Sequence, residues 1–92
     1  MLFRSVHLLI SGRVQGVYFR QGTMETAEKN NVFGWVRNLP DDKVEAILEG
    51  NTSNVDAVVE WAYFGPAGAV VDEIKITEEN YVGEFWEFEI RY

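Results

Sequence analysis

The chain has no cysteine. No disulfide can staple this fold, and no thiolate can act in it as nucleophile or metal ligand. That suits a reducing cytoplasm, the expected compartment. With a single histidine, His7, the chain also lacks the usual ligands of a structural zinc site, so neither metal nor cofactor is expected. No apolar run approaches the ~20 residues needed to span a bilayer, so no membrane association is expected. The start, Met1-Leu2-Phe3-Arg4-Ser5, lacks the apolar middle and small-residue cleavage site of a signal peptide. Positive charge is scarce. Eight Lys and Arg against 15 Asp and Glu give a net charge of −7. A general affinity for nucleic acid is therefore not expected.

What is present describes one domain, residues 1–92. Hydrophobic residues make up 47% and charged residues 25%, ordinary values for a globular chain. The charge is uneven. Residues 1–43 carry six basic and four acidic groups, whereas residues 44–92 carry two basic and eleven acidic ones. An anion would be received by the first half, and the acidic second half serves solubility.

Val6, Leu8 and Ile10 alternate with His7, Leu9 and Ser11, the period of a strand with one apolar face. Gly12 and Gly16 punctuate a loop. Good helix formers follow from Phe19 to Asn30, with Phe19, Thr23, Ala27 and Asn30 on one stripe. Asn30-Asn31 is a helix stop, because asparagine tolerates the left-handed conformation. Gly34 to Leu39 reads as a second strand, Pro40-Asp41-Asp42-Lys43 as a turn, and Val44 to Glu49 as a third strand. Thr52, Ser53 and Asn54 are candidate caps for a second helix. Its apolar stripe is Val55, Val58, Val59 and Ala62, and Gly65-Pro66 ends it. Ile74 and Ile76 mark a fourth strand. Trp86, Phe88, Ile90 and Tyr92 alternate in a last one. The order βαββαβ plus a C-terminal strand predicts an α+β fold. It is the ferredoxin-like two-layer α/β sandwich, an antiparallel sheet with two helices on one face.

Gly12-Arg13-Val14-Gln15-Gly16-Val17-Tyr18-Phe19-Arg20 joins the first strand to a helix start. A helix start offers unpaired N–H groups and a partial positive charge. A tight loop before it can curl further N–H groups toward one point. Arg20, in the first turn, can hold two phosphate oxygens with its planar fork. From spacing alone, the two glycines fit plain turn chemistry as well as an anion cradle.

The same nine residues resemble the first signature of the acylphosphatase family, Gly-x-Val-Gln-Gly-Val-x-Phe-Arg, at every fixed position. Gly34-Trp35-Val36-Arg37-Asn38 resembles the second, with Val44 and Gly50 at the expected spacing. The resemblance covers essentially the whole chain. It implies hydrolysis of acyl phosphates without metal or cofactor, with inorganic phosphate as product and inhibitor. It implies that the backbone amides of Gln15, Gly16, Val17, Tyr18, Phe19 and Arg20 cradle the phosphate. Arg20 would orient the phosphate, and Asn38 would position the attacking water. The chain departs from the pattern at Asn31 and Asp42, where the family has glycine. The alternative reading is a ferredoxin-like module that binds phosphate or carbamoyl phosphate without turnover.

An acyl phosphate is already activated, since its carboxylate leaving group is weakly basic. Positioning and charge stabilisation suffice, in keeping with the absence of a Ser-His-Asp pattern. His7 is expected to be structural or at the surface, Trp35, Trp61, Trp86 and the C-terminal aromatics to be packing residues, and the glutamates to be solvated. Tyr18, at a variable position of the motif, is a candidate for controlling access. The partner expected is a small-molecule acyl phosphate, acted on by a monomer. Turnover of acetyl phosphate should persist in excess EDTA. A loss that added Mg²⁺ or Zn²⁺ restores would contradict the metal-free reading.

Overall fold

Period-two alternation and its register organise the sheet in the computed structural model, which describes residues 2–92. Met1, part of the N-terminal stretch considered above, lies outside them. β1 (Phe3–Arg13) buries Val6, Leu8 and Ile10 on one face. β3 (Val44–Asn51) pairs with it antiparallel, so that Val6, Leu8 and Ile10 stand opposite Leu48, Ala46 and Val44, all buried. β2 (Phe33–Asn38) adds Val36 opposite Ala46 on the same face.

Both helices cover this face. α1 (Phe19–Lys29) buries Phe19, Thr23 and Ala27 of the stripe read from the sequence, whereas Asn30, its fourth member, is the half-buried C-cap beyond the helix. α2 (Thr52–Phe64) buries Val55, Val58, Val59 and Ala62, again as read. Gly22 lets the helices approach: a Cβ there would lie 2.7 Å from the Trp61 ring. Trp61 also packs against Phe19, with ring centres 5.4 Å apart. Burying each such Val, Leu or Ile contributes about 1.5–3 kcal/mol. Exposed ion pairs, such as those of Arg4 with Asp56 of α2 and Glu78 of the fourth strand, contribute about 0–1 kcal/mol. The core therefore holds the layers together, and the ion pairs trim its edge.

Strand order is β4-β1-β3-β2-β5, with β4 at Val70–Glu79 and β5 at Phe88–Arg91. The sheet is not wholly antiparallel, as expected above, but mixed: β5 runs parallel to β2. The reason is topological. β4 runs antiparallel to β1 and so finishes at the far end of the sheet. The chain then crosses to the other edge, and β5 can only run back the way β2 runs. Consequently β1, β2 and β5 all point the same way and finish at one end of the molecule.

The crossing residues account for two further corrections. Trp86 is 88% exposed rather than packed, because β5 begins at Phe88, beyond it. Glu49 is only 2% exposed rather than solvated, and its carboxylate accepts the Phe85 amide at 3.2 Å. A third correction concerns α2. Its cap is Asn51, whose side chain accepts the Ser53 amide at 3.1 Å, not Thr52, Ser53 or Asn54.

On the face away from the helices, His7 meets Glu45 at 2.7 Å, in the surface role expected of it. Arg37 reaches the other oxygen of the same carboxylate. Burial pushes the Glu45 carboxyl up, but the hydrogen bonds to His7 and Arg37 outweigh it and hold the group below its ordinary value. The stability this lends is present above the ordinary carboxylate range and is lost as pH falls through the lowered value.

Gly12 lies inside β1, not in a loop, at an irregularity in the pairing with β4. Its φ is 130°, and a Cβ would stand 2.1 Å from the Val70 carbonyl oxygen. Gly12→Ala should destabilise the protein by about 2–3 kcal/mol, combining backbone strain with a clash that must be relaxed. Thermal melting reads this as a drop on the order of 10 °C. An unchanged melting temperature would show that the β1–β4 approach can yield without cost.

Candidate functional site

β1 hands the chain to a five-residue loop, Val14 to Tyr18, ahead of α1. Val14 is buried and pins the loop to the core. Gly16 and Tyr18 are left-handed, with φ of 74° and 65°. Left-handed residues placed this way curl backbone N–H groups toward one concave side. A Cβ on Gly16 would meet nothing within 4 Å, so glycine serves the backbone angle there rather than the space. Tyr18 accepts the same angle without that freedom, at a cost of about 1–2 kcal/mol.

Helix starts are usually capped by a side chain and favoured by a nearby carboxylate. This one has neither: Tyr18 makes no capping bond, and the first turn holds no acid. Among the described residues, the amides of Gly16, Val17 and Tyr18 find no backbone acceptor. The positive end of α1 is left open. Side-chain charge points the same way. Arg4, Arg37 and Arg91 each pair with a carboxylate, while Arg13 and Arg20, the arginines of the loop segment, form no ion pair among the described residues.

Asn38 is the last residue of β2, on the same alternation as buried Val36 and hence on the helix side of the sheet. The turn beyond it is tied to the loop through Gln15. The Gln15 side-chain amide donates to the carbonyls of Leu39 at 2.8 Å and Lys43 at 2.9 Å. Within the turn, the Leu39 amide donates to the Lys43 carbonyl at 2.8 Å. Asp42 adopts φ 71°, and Asn31 adopts φ 55° after α1. Both departures from glycine thus keep a left-handed backbone. Asp41 lies 3.1 Å from Lys43, and that hydrogen bond holds its carboxyl below the ordinary value.

Loop, helix start and β2 meet at a cleft of about 330 Å³. Gly16, Tyr18, Phe19, Arg20 and Asn38 line it, five of the residues singled out in the sequence. Gln15 and Val17 do not: the Gln15 side chain is engaged with the turn, and Val17 packs against the core. Ile90 and Tyr92 line the cleft from the β5 end and were not anticipated. The Arg20 guanidinium carbon sits 5.0 Å from the centre of the Tyr92 ring. The signal was available in the alternation Phe88, Ile90, Tyr92, which puts all three on one face. What the sequence could not show is that β5 runs parallel to β2 and so ends at the cleft. Among the described residues, no group of three or more His, Asp or Glu side chains is placed to hold a metal ion, and no helix is long and apolar enough to cross a membrane.

Fold and cleft together define a ferredoxin-like α+β sandwich with its candidate site where three like-directed strands end. Comparison with known proteins narrows this. The family model described as Acylphosphatase matches residues 6–90. An acylphosphatase of Syntrophus aciditrophicus is 44% identical over 91 residues, covering 99% of this chain and 95% of that one. One of Pyrobaculum aerophilum is 53% identical over 85 residues, covering 91% and 90%. The crystal structure of acylphosphatase from Bacillus subtilis superposes with a TM-score of 0.92 at 33% identity, covering 96% of this chain and 98% of that one. The chain belongs to the acylphosphatase family, enzymes that hydrolyse acyl phosphates to a carboxylate and inorganic phosphate.

The Gln15 bridge gives a prediction. Gln15→Leu removes both hydrogen bonds and frees the turn that follows Asn38. Turnover should fall by at least ~10-fold, with a stability loss of about 1–3 kcal/mol, since the Leu39 carbonyl loses its donor while the Lys43 carbonyl keeps only the Leu39 amide. Wild-type turnover in this variant, measured with acetyl phosphate alongside thermal melting, would show that the bridge does not position Asn38.

Proposed function

We propose that the open helix start and loop bind the phosphoryl group of an acyl phosphate and that Asn38 directs water at its phosphorus. The observation that carries this reading is the combination of an uncapped α1, two left-handed loop residues and an Arg20 with no ion pair among the described residues, on one cleft with Asn38. The amides of residues 15–20 take the phosphoryl oxygens. Arg20 supplies a permanent charge and a two-pronged donor. Charge that builds on those oxygens in the transition state meets dipoles already in place, so little reorganisation is needed.

Asn38 is not a base near neutral pH, but its side-chain amide both donates and accepts and can orient a water molecule. The water oxygen forms the new bond to phosphorus as the bond to the acyl oxygen breaks. The carboxylate departs with its electron pair and, being a weak base, needs no proton. The water proton passes to a phosphate oxygen. Inorganic phosphate, the product, competes for the same amides. The enzyme acts as a monomer in the cytoplasm, without nucleic-acid partners. The cysteine-free composition supports the compartment, and the charge of −7 supports the lack of nucleic-acid partners.

Arg20→Lys keeps the charge but loses the fork, so phosphate affinity and turnover should both fall. Asn38→Ala should lower kcat on the order of 10²–10³-fold with little change in phosphate affinity, because the lost interaction is with the water. Both are read from acetyl phosphate hydrolysis, inhibition by phosphate and melting on one preparation. A folded Asn38→Ala variant with near-normal kcat would remove Asn38 from the mechanism. Binding of phosphate without hydrolysis of any acyl phosphate by the wild type would favour the non-catalytic module.

A further inference from the structure

If phosphate occupies the amide end of the cleft, the acyl group must lie at its mouth, and the mouth is aromatic. Tyr18 and Tyr92 both line the cleft, yet they are 78% and 98% exposed. Neither side chain makes a hydrogen bond among the described residues, and neither belongs to the hydrophobic core. Tyr18, moreover, occupies a left-handed position where asparagine or glycine would be easier. Two large rings spread into solvent do nothing for the fold. Tyr92 is nonetheless held in place, because one face of its ring meets the Arg20 guanidinium. Val14, Phe19 and Ile90 give the cleft an apolar part of its wall beside the polar Arg20, Gln21 and Asn38. Among the described residues, no acidic side chain and no cationic side chain besides Arg20 lines it.

We propose that Tyr18 and Tyr92 form an aromatic seat for the acyl group, so that the enzyme selects flat, uncharged acyl phosphates over short aliphatic or anionic ones. The inference rests on the reading of the cleft as the acyl phosphate site. A benzoyl-type group has a face to lay against a tyrosine ring, whereas an acetyl group has little area to offer. An acyl group bearing its own carboxylate finds no cation there, since Arg20 is engaged by the phosphate.

The test compares kcat/KM for benzoyl, acetyl and succinyl phosphate in the wild type, Tyr92→Ala, Tyr92→Phe and Tyr18→Asn. Asparagine is chosen at 18 because it keeps the left-handed backbone. The benzoyl-to-acetyl ratio cancels any general effect of Tyr92 on Arg20 and phosphate binding. It should fall roughly 3- to 10-fold in Tyr92→Ala and in Tyr18→Asn, the scale of one lost ring contact. Tyr92→Phe should keep it. Succinyl phosphate should be the poorest substrate of the wild type and should gain nothing in Tyr92→Ala. A ratio unchanged in both Tyr92→Ala and Tyr18→Asn overturns the seat, as does a succinyl phosphate preference. Failure to hydrolyse all three substrates would instead overturn the assignment of the cleft itself.

Discussion

The register between β1 and β3 is the constraint on which the rest depends. Val6, Leu8 and Ile10 must meet Leu48, Ala46 and Val44 on the face that the helices cover. A slip of one residue would turn His7, Leu9 and Ser11 into the core and expose the apolar set. With the register set, β2 has one place to pair with β3, and Asn38 falls opposite Val44 at the end where β1 delivers the loop. The site is thus assembled by strand pairing over long sequence separations, and the local loop chemistry then finishes it.

Charge is distributed to serve the same end. Exposed arginines elsewhere are neutralised: Arg37 by Glu45, Arg91 by Glu89, and Arg4 by Asp56 and Glu78. Arg13 and Arg20, which flank the loop, form no ion pair among the described residues, and the α1 start has no side-chain cap. Together with the left-handed Tyr18, these choices give up local stability at one place in a molecule whose core is otherwise well filled. The residues that the acidic second half of the chain brings to the cleft, Ile90 and Tyr92, carry no acidic side chain.

Much of this was legible in the sequence because it depends on period and spacing. The stripe Val55, Val58, Val59, Ala62 is buried as read, and so are Phe19, Thr23 and Ala27 of the first stripe, though not Asn30. Asn31 and Asp42 stand in for glycine at left-handed positions, which their side chains make feasible. The misreadings share a physical cause. Trp86, Glu49 and the direction of β5 all depend on where residues between β4 and β5 cross the sheet, and nothing periodic encodes that path. The Asn51 cap was passed over because the strand continues up to the helix and leaves no loop to mark the boundary. The Gln15 side chain belongs to the motif, but its partners are carbonyls 24 and 28 residues away, and a carbonyl carries no sequence identity.

The like direction of β1, β2 and β5 has a mechanical side. Tension applied between Leu2 and Tyr92 would pull β1 from its start and β5 from its finish, along the strand axes in opposite senses. The hydrogen bonds between β5 and β2 would then be loaded together, in shear, instead of being unzipped one at a time. A four-residue strand that would be weak against peeling is thereby set in the geometry in which a short strand resists force best.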